Sequence, residues 1–170
     1  MIGNIKIIAV CMCKVYDERN YRIIRALNNF AVENDYRLFV YHTCSDLYWK
    51  TLSEKGEQSV FDLIDYNITD AVVTFEEGVY AENVMTKIRM DAAQYGKPVI
   101  SVGVEHDDCI SIKFGYAKGF EQVVRHVIEQ HGVRDIGFIA GRKDEENSEE
   151  RIAVFRKLLE EYDIPFRNDV

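Results

Sequence analysis

The chain has 170 residues, and its 47% hydrophobic content is enough for the core of one ordinary domain, whereas two independent domains would be crowded. Its formal net charge of −8 argues against a nucleic-acid surface, because neutralising phosphates requires clustered Lys and Arg. No apolar run approaches the roughly 20 residues that span a bilayer, and residues 1–6 lack the pattern of an export signal. We therefore expect no membrane contact, a cytoplasmic setting and free thiols at the four cysteines.

Short apolar runs and helical stripes alternate along the first two thirds of the chain. The runs predict strands at residues 5–10, 36–42, 70–75 and 98–103, and residues 109–114 are a candidate for a short fifth. Apolar residues at three- and four-residue spacing predict the helices between them: Tyr21, Ile24, Leu27, Phe30 and Ala31, then Val60, Leu63 and Ile64, then Val84, Ile88 and Ala92.

This alternation predicts an α/β fold with a doubly wound parallel sheet, right-handed crossovers and helices on both faces. The expected strand order is 2-1-3-4, with later strands added. The loops at residues 11–20, 42–46, 75–80 and 103–108 then meet at one edge of the sheet. Open α/β sheets bind ligands at that edge.

The stretch from Lys113 to Pro165 carries a second set of patterns. A helix is expected between Gly115 and Gly132, which suits the helix stop, with a stripe of Phe120, Val123, Val124, Val127 and Ile128. Residues 135–141 read as a buried strand covered on both sides. Another stripe, of Ile152, Phe155, Leu159 and Tyr162, predicts a helix capped by Asn147 or Ser148 and places Arg151 in its first turn.

These segments resemble the effector-binding domain of lac-repressor-type (LacI family) regulators, which has a type I periplasmic-binding-protein-like fold. The matching pieces are Ile5-Lys6-Ile7-Ile8, Asp70-Ala71-Val72-Val73, Gly96-Lys97-Pro98-Val99-Ile100, Gly119 with His126, and Arg151. The resemblance implies a first lobe at residues 1–114, followed at 115–170 by a crossover and the start of an incomplete second lobe. It also implies that the DNA-binding headpiece is missing.

By the same resemblance, the chain is expected to be a cytoplasmic, non-catalytic sensor that needs no cofactor. A small polar effector would bind between the two lobes, and the first lobe would form a homodimer. Relatives without the headpiece are often input modules fused to a diguanylate cyclase or a histidine kinase, and we favour that setting over a transcriptional regulator cut from its headpiece. The alternative is a ligand-free dimerisation module with the same fold.

The loops and the second helix stripe supply the candidate ligand contacts. These are Tyr16, Asp17, Asn20, Phe75, Glu76, Gly103, Asn147, Ser148 and Arg151. The resemblance selects Arg151 because an early arginine of this helix contacts the effector in that family. The chain departs from the family where Asp17-Glu18-Arg19-Asn20 replaces the frequent Asn-Pro-Phe-Phe, so the effector itself is not predicted.

Each candidate also has a structural interpretation. Arg151 could pair on the surface with Asp144 or Glu145, as exposed arginines commonly do. Asp17 could simply cap the following helix. Glu76 and Glu77 could be solvated loop charges, and we favour that reading of both glutamates over ligand contact.

Other classes of protein fit the sequence less well. Cys11-Met12-Cys13 and His42-Thr43-Cys44 end neighbouring strands and could hold zinc, although core thiols are the default. The aspartates and lysine of a phosphoacceptor receiver are missing at the corresponding strand ends. No Gly-x-Gly-x-x-Gly follows the first strand, and no nucleophile motif supports an enzyme.

Overall fold

The computed structural model describes residues 5–77, 79–141, 143 and 145–167. The chain forms two compact units, residues 1–113 and 114–170. Whether these units correspond to the two predicted lobes stays a prediction, and each unit is described by itself.

Unit 1 is a five-stranded parallel sheet with helices. Its elements are β1 (Lys6–Cys13), α1 (Glu18–Glu33), β2 (Tyr36–Thr43), α2 (Leu52–Gln58), a 3₁₀ turn (Ser59–Leu63), β3 (Ala71–Phe75), α3 (Glu82–Gln94), β4 (Val99–Val102) and β5 (Ile110–Ile112). The strand order is β2-β1-β3-β4-β5, and every neighbouring pair is parallel. The predicted sheet and its order are therefore confirmed.

The helix expected around Val60 and Leu63 is confirmed as a helical segment, but these residues lie in a 3₁₀ helix that follows α2. α2 begins earlier because Thr51 and Glu54 form a capping box, in which the Thr51 hydroxyl accepts from the Glu54 backbone at 3.2 Å and the Glu54 carboxylate accepts from Thr51 at 3.0 Å. The helix has already ended at Gln58, and Val60 and Leu63 fall in the 3₁₀ turn that follows.

One buried cluster of unit 1 includes one face of β1, and Val10 and Met12 on the other face are buried as well. Alternate residues of a strand point to opposite faces, so Ala9, Cys11 and Cys13 share a side, and they pack in one buried cluster with Met85 and Ile88 of α3. α1 is less buried than its stripe predicted, since Ala31 alone among its residues is fully buried. Phe30 is 60% exposed, because it precedes Ala31 by one residue and so points about 100° away around the helix.

Unit 2 is built on α4 (Tyr116–His131) and α5 (Glu146–Glu161). Gly132 ends α4 as predicted, in the left-handed conformation with φ 63° that glycine adopts most easily. Val124, Ile128, Phe155, Leu158, Leu159 and Ile164 form its buried cluster. Val123, expected in this stripe, is exposed instead.

The buried strand expected at residues 135–141 is a wrong prediction for the described chain. No strand is assigned in the described part of unit 2, so this segment has no neighbour with which to form a ladder. Phe138 still packs on the helices, with ring centroids 5.1 Å from Phe120 and 5.0 Å from Phe155, but Ile139 is 97% exposed.

The predicted cap of α5 is also wrong. The cap residue is Glu145, whose carbonyl accepts from the backbone of Ser148 at 2.9 Å and of Glu149 at 3.0 Å. Asn147 and Ser148 lie inside the first turn. In the ranges that the structure covers, no helix combines the length and apolar character needed to cross a membrane.

The thiols of β1 are core groups. Burial raises the pKa of Cys13 to about 11 and raises the pKa of Cys11 further still. The Thr43 hydroxyl lies 3.0 Å from the Cys13 sulfur, and Cys44 is exposed. No group of three or more His, Cys, Asp or Glu side chains is arranged for a metal within the described residues.

Thiol labelling tests this arrangement. We expect a neutral aromatic disulfide reagent at pH 8 to modify Cys44 first, and Cys11 and Cys13 only after unfolding, because buried thiols with raised pKa stay protonated and inaccessible. Mass spectrometry of the digested protein identifies the labelled positions. Modification of Cys11 in the folded chain at the rate of Cys44 would contradict the burial described here.

Candidate functional site

The carboxyl ends of the strands in unit 1 are joined directly to one another. Beyond the paired region, the backbone of Lys14 donates to Thr43 at 2.8 Å, Glu76 donates to Val102 at 2.9 Å, and Gly103 donates to Ile112 at 2.9 Å. The loops that follow therefore leave the sheet side by side. We call this rim, formed by residues 14–20, 44–47, 76–77 and 103–108, the carboxyl edge.

The loop after β1 is held by its own side chains. The Asn20 amide donates to the carbonyls of Cys13 at 3.0 Å and Lys14 at 3.1 Å, and the Tyr16 hydroxyl donates to the Cys44 carbonyl at 2.8 Å. Asp17 occupies the cap position of α1, as the structural interpretation predicted, although its backbone carbonyl accepts from Tyr21 at 2.8 Å and its carboxylate makes no capping hydrogen bond. Tyr16 is 59% exposed, so most of its ring remains open to solvent.

Two ion pairs cross the carboxyl edge. Lys14 Nζ donates to Asp46 Oδ2 at 3.0 Å, and this hydrogen bond raises the pKa of Lys14. The Arg19 guanidinium pairs with the Glu77 carboxylate from the loop after β3. Glu77 is therefore not the freely solvated charge that the sequence suggested, and Lys14, Arg19 and Asp46 are site residues that it did not single out.

The loop after β2 is anchored from α2. One Glu57 oxygen accepts from the backbones of Cys44 at 2.8 Å and Ser45 at 2.9 Å. Leu47 is fully buried with φ 60°, and Lys14 has φ 48°, a left-handed conformation that costs about 1 kcal/mol or more for residues other than glycine. Two strained residues in adjacent loops show that the edge is held in a defined shape.

Glu76 is the buried member of the carboxyl edge, at 8% exposure. Arg89 Nη1 donates to its two oxygens at 3.0 and 3.1 Å, the Thr74 hydroxyl donates at 2.8 Å, and His106 Nε2 lies 2.8 Å away. The expectation of a solvated loop charge is therefore wrong for Glu76. Its direct contact with a ligand stays a prediction, but its present contacts join β3, α3 and the loop after β4.

Arg89 reaches across this junction. It is 7% exposed, its Nε has no hydrogen-bond partner, and the Asp108 carboxylate lies 3.5 Å from that atom. A buried ion pair that loses one member leaves an uncompensated charge in the interior, which costs several kcal/mol.

Gly103 and Phe75 complete the edge. Gly103 is buried with φ 103°, and a Cβ added to it would lie 2.7 Å from the Glu77 Cβ, so only glycine fits. Phe75 is half-buried and ends β3 opposite Val102. For both residues, contact with a ligand stays a prediction.

Three candidates lie in the first turns of α5. Ser148 is buried and its hydroxyl donates to Glu145 at 3.0 Å, while Arg151 is half-buried and its Nε donates to the Asn147 carbonyl at 2.9 Å. A Cβ on Gly141 would lie 1.9 Å from the Ser148 hydroxyl, so the preceding loop approaches α5 too closely for any side chain. Asp144, the suggested surface partner of Arg151, lies outside the described residues.

A depression of about 420 Å³ lies along α3, lined by Glu82, Asn83, Thr86, Lys87, Met90 and Asp91. One helix lines it, and it contains none of the nine candidate residues. A depression lined by one helix cannot surround a ligand from several sides as binding sites do. The carboxyl edge therefore remains the candidate site.

Replacing Arg89 tests the buried junction. We expect Arg89→Met to lower the free energy of unfolding by about 3 kcal/mol, because Glu76 would be left charged and buried. The double variant Glu76→Gln/Arg89→Met should lose clearly less than the two single losses added together, since it leaves no lone charge. Urea unfolding gives the free energy of unfolding of the parent, of the two single variants and of the double variant. Additive losses would show that the pair is not coupled.

Proteins of known structure share this fold. No protein-family model and no curated protein matches the chain. Among solved structures it is similar to the transcription regulator CcpA of Lactococcus lactis, at 19% identity and a TM-score of 0.71, over 96% of this chain and 56% of that one. It is also similar to a periplasmic binding protein/LacI transcriptional regulator from Alkaliphilus metalliredigens complexed with D-xylulofuranose, at 18% identity and a TM-score of 0.66, over 94% and 54%.

The lac repressor dimer bound to operator and the anti-inducer ONPF is a third similar structure, at 14% identity and a TM-score of 0.65, over 96% of this chain and 46% of that one. The chain thus spans about half the length of the structures it matches. Identities this low establish the fold alone. The predicted resemblance is confirmed at that level: the chain has the α/β fold of LacI-type, periplasmic-binding-protein-like regulators.

Proposed function

We propose that the chain binds a small polar effector at the carboxyl edge of unit 1 and acts as a sensor rather than an enzyme. The observation that carries the proposal is the direct bonding between loops that follow different strands. Tyr16 reaches Cys44, Lys14 reaches Asp46, and Arg19 reaches Glu77. An edge built this way presents a fixed set of polar groups where α/β folds bind ligands.

The chemistry of the edge favours a ligand with many hydroxyl groups. The Arg19 and Lys14 side chains donate hydrogen bonds, the Glu77 and Asp46 carboxylates accept them, and the Tyr16 hydroxyl does both. A sugar hydroxyl also donates and accepts, so it can exchange with these partners without leaving a charge unpaired. A protein of similar fold is complexed with D-xylulofuranose, which supports a sugar or sugar-like effector here.

Sensing requires a ligand to favour one conformation over another. At this edge the ligand would exchange bonds with the Arg19–Glu77 and Lys14–Asp46 pairs, which are partly exposed and therefore contribute little to stability by themselves. The buried Glu76 junction would keep the loops in place during that exchange. The output could be transcriptional regulation or a fused diguanylate cyclase or kinase, and this part of the proposal rests on the resemblance alone.

Binding can be tested with a panel of sugars, polyols, nucleosides and amino acids in a thermal-shift assay. We expect at least one compound to raise the melting temperature in a concentration-dependent way, because a ligand that binds only the folded state stabilises it. Tyr16→Phe should weaken that compound's affinity about tenfold, the loss expected for one polar contact of about 1.4 kcal/mol.

Tyr36→Phe is the matched control, since Tyr36 begins β2 at the opposite end of the strand. Arg151→Ala tests the separate α5 candidate in the same assay, with Arg156→Ala on the same helix as its control. Equal affinity in Tyr16→Phe and Tyr36→Phe would exclude the carboxyl edge. Unchanged affinity in Arg151→Ala would remove that arginine from the site.

A second candidate function is pairing with another copy of the chain. Phe30, near the end of α1, is 60% exposed, and Phe39 on the edge strand β2 is 42% exposed. Exposed apolar side chains on a helix and on an edge strand are typical of interfaces. They favour a homodimer formed through unit 1.

Sedimentation equilibrium tests the dimer. We expect Phe30→Glu to raise the dimer dissociation constant at least tenfold, because a carboxylate would be desolvated at the interface. Met90→Glu is the control, since Met90 is 65% exposed on α3. If the parent chain stays monomeric at 100 times the protein concentration used in the thermal-shift assay, the dimer proposal is contradicted. The ligand proposal is not affected by that result.

A further inference from the structure

Two of the four histidines face each other on α4. His126 and His131 are both exposed, their Nε2 atoms lie 3.1 Å apart, and their rings are 4.9 Å apart at an interplanar angle of 74°. Neither residue belongs to the carboxyl edge. The contact therefore needs its own explanation.

The distance between the ring centres depends on how the two rings are arranged. In a straight N–H···N hydrogen bond the two ring axes line up, and a nitrogen separation of 3.1 Å would put the ring centres about 5.4 Å apart. If both nitrogens instead point at one cation about 2.05 Å away, the axes converge and the centres lie about 4.8 Å apart. The observed 4.9 Å shows that the two ring axes are not collinear, as binding of one cation by both nitrogens requires.

We propose that His126 and His131 bind a divalent transition-metal cation through their Nε2 atoms. At 3.1 Å apart, two nitrogens at normal ligand distance enclose an angle of about 98° at the metal, between the values for cis-octahedral and tetrahedral sites. Imidazole ligands suit Zn²⁺, Ni²⁺ and Cu²⁺, whereas Mg²⁺ and Ca²⁺ prefer oxygen. Among the described residues no third His, Cys, Asp or Glu completes a metal group, so solvent would have to supply the remaining ligands.

The surroundings favour a cation. His131 is the last residue of α4, and the carbonyl end of a helix carries a partial negative charge that attracts cations. The nearby cation Arg125 is already neutralised, since it donates to Glu121 and bidentately to Glu161. Glu129 accepts from the Tyr162 hydroxyl, so it does not compete for the metal in this arrangement.

Metal binding would tie residue 126 to residue 131 across the last turns of α4. A cation bound only by the folded state stabilises that state in proportion to the logarithm of its concentration. Two protein ligands give a moderate affinity, which suits a reversible site.

Calorimetric titration of the untagged chain with NiCl₂ tests the site. The chain should carry Cys44→Ser, because that thiol is exposed and could bind metal itself. We expect one Ni²⁺ per chain at pH 7.5, with at least tenfold weaker binding in His126→Gln and in His131→Gln. His42→Gln is the control and should bind like the parent, and MgCl₂ should give no saturable binding.

Circular dichroism of each variant should show the helix content of the parent, which is expected because both histidines are exposed. Absence of saturable Ni²⁺ binding to the parent would overturn the proposal. So would equal affinity in the parent and either histidine variant, since the cation would then be elsewhere. Neither result depends on whether a sugar-like effector binds at the carboxyl edge.

Discussion

The parallel pairing of β1 with both of its neighbours is the constraint on which the candidate site depends. β1 pairs with β2 from Lys6 to Cys13 and with β3 from Ile8 to Cys11. Because all three strands run the same way, their following loops emerge together, and a shift in register would separate Lys14 from the Thr43 carbonyl that it bonds. The position of the candidate site is therefore set by the sheet geometry, and the side chains determine what it can bind.

A buried charge then fixes what the sheet has brought together. Removing Glu76 and Arg89 from water is costly, and an apolar pair of the same size could give equal stability. The polar pair also fixes the positions of three elements through directional hydrogen bonds, because Glu76 contacts Thr74 on β3, Arg89 on α3 and His106 in the loop after β4. A preorganised edge loses less entropy when a ligand binds, so rigidity beneath the site favours affinity above it.

The sequence predicted the features that depend on local pattern. Apolar runs marked the strands of unit 1, and Gly132 marked the end of α4, because period and glycine conformation are properties of neighbouring residues. The sequence did not predict contacts between distant residues. Glu76 contacts Arg89 and His106, which are 13 and 30 positions away, and no spacing pattern predicts such contacts. Residues 135–141 are apolar enough for a strand, yet a strand also requires a neighbour.

The central claim is that the ligand sits where the strands of unit 1 end, and backbone amide NMR with a stabilising compound tests it most directly. The account predicts that the largest chemical-shift changes fall at Tyr16, Arg19, Asp46 and Glu77, while the turns at the other end of the strands, around Asp35 and Gly96, stay unchanged. Chemical-shift changes concentrated at Asp35 and Gly96, with none at the carboxyl edge, would contradict it.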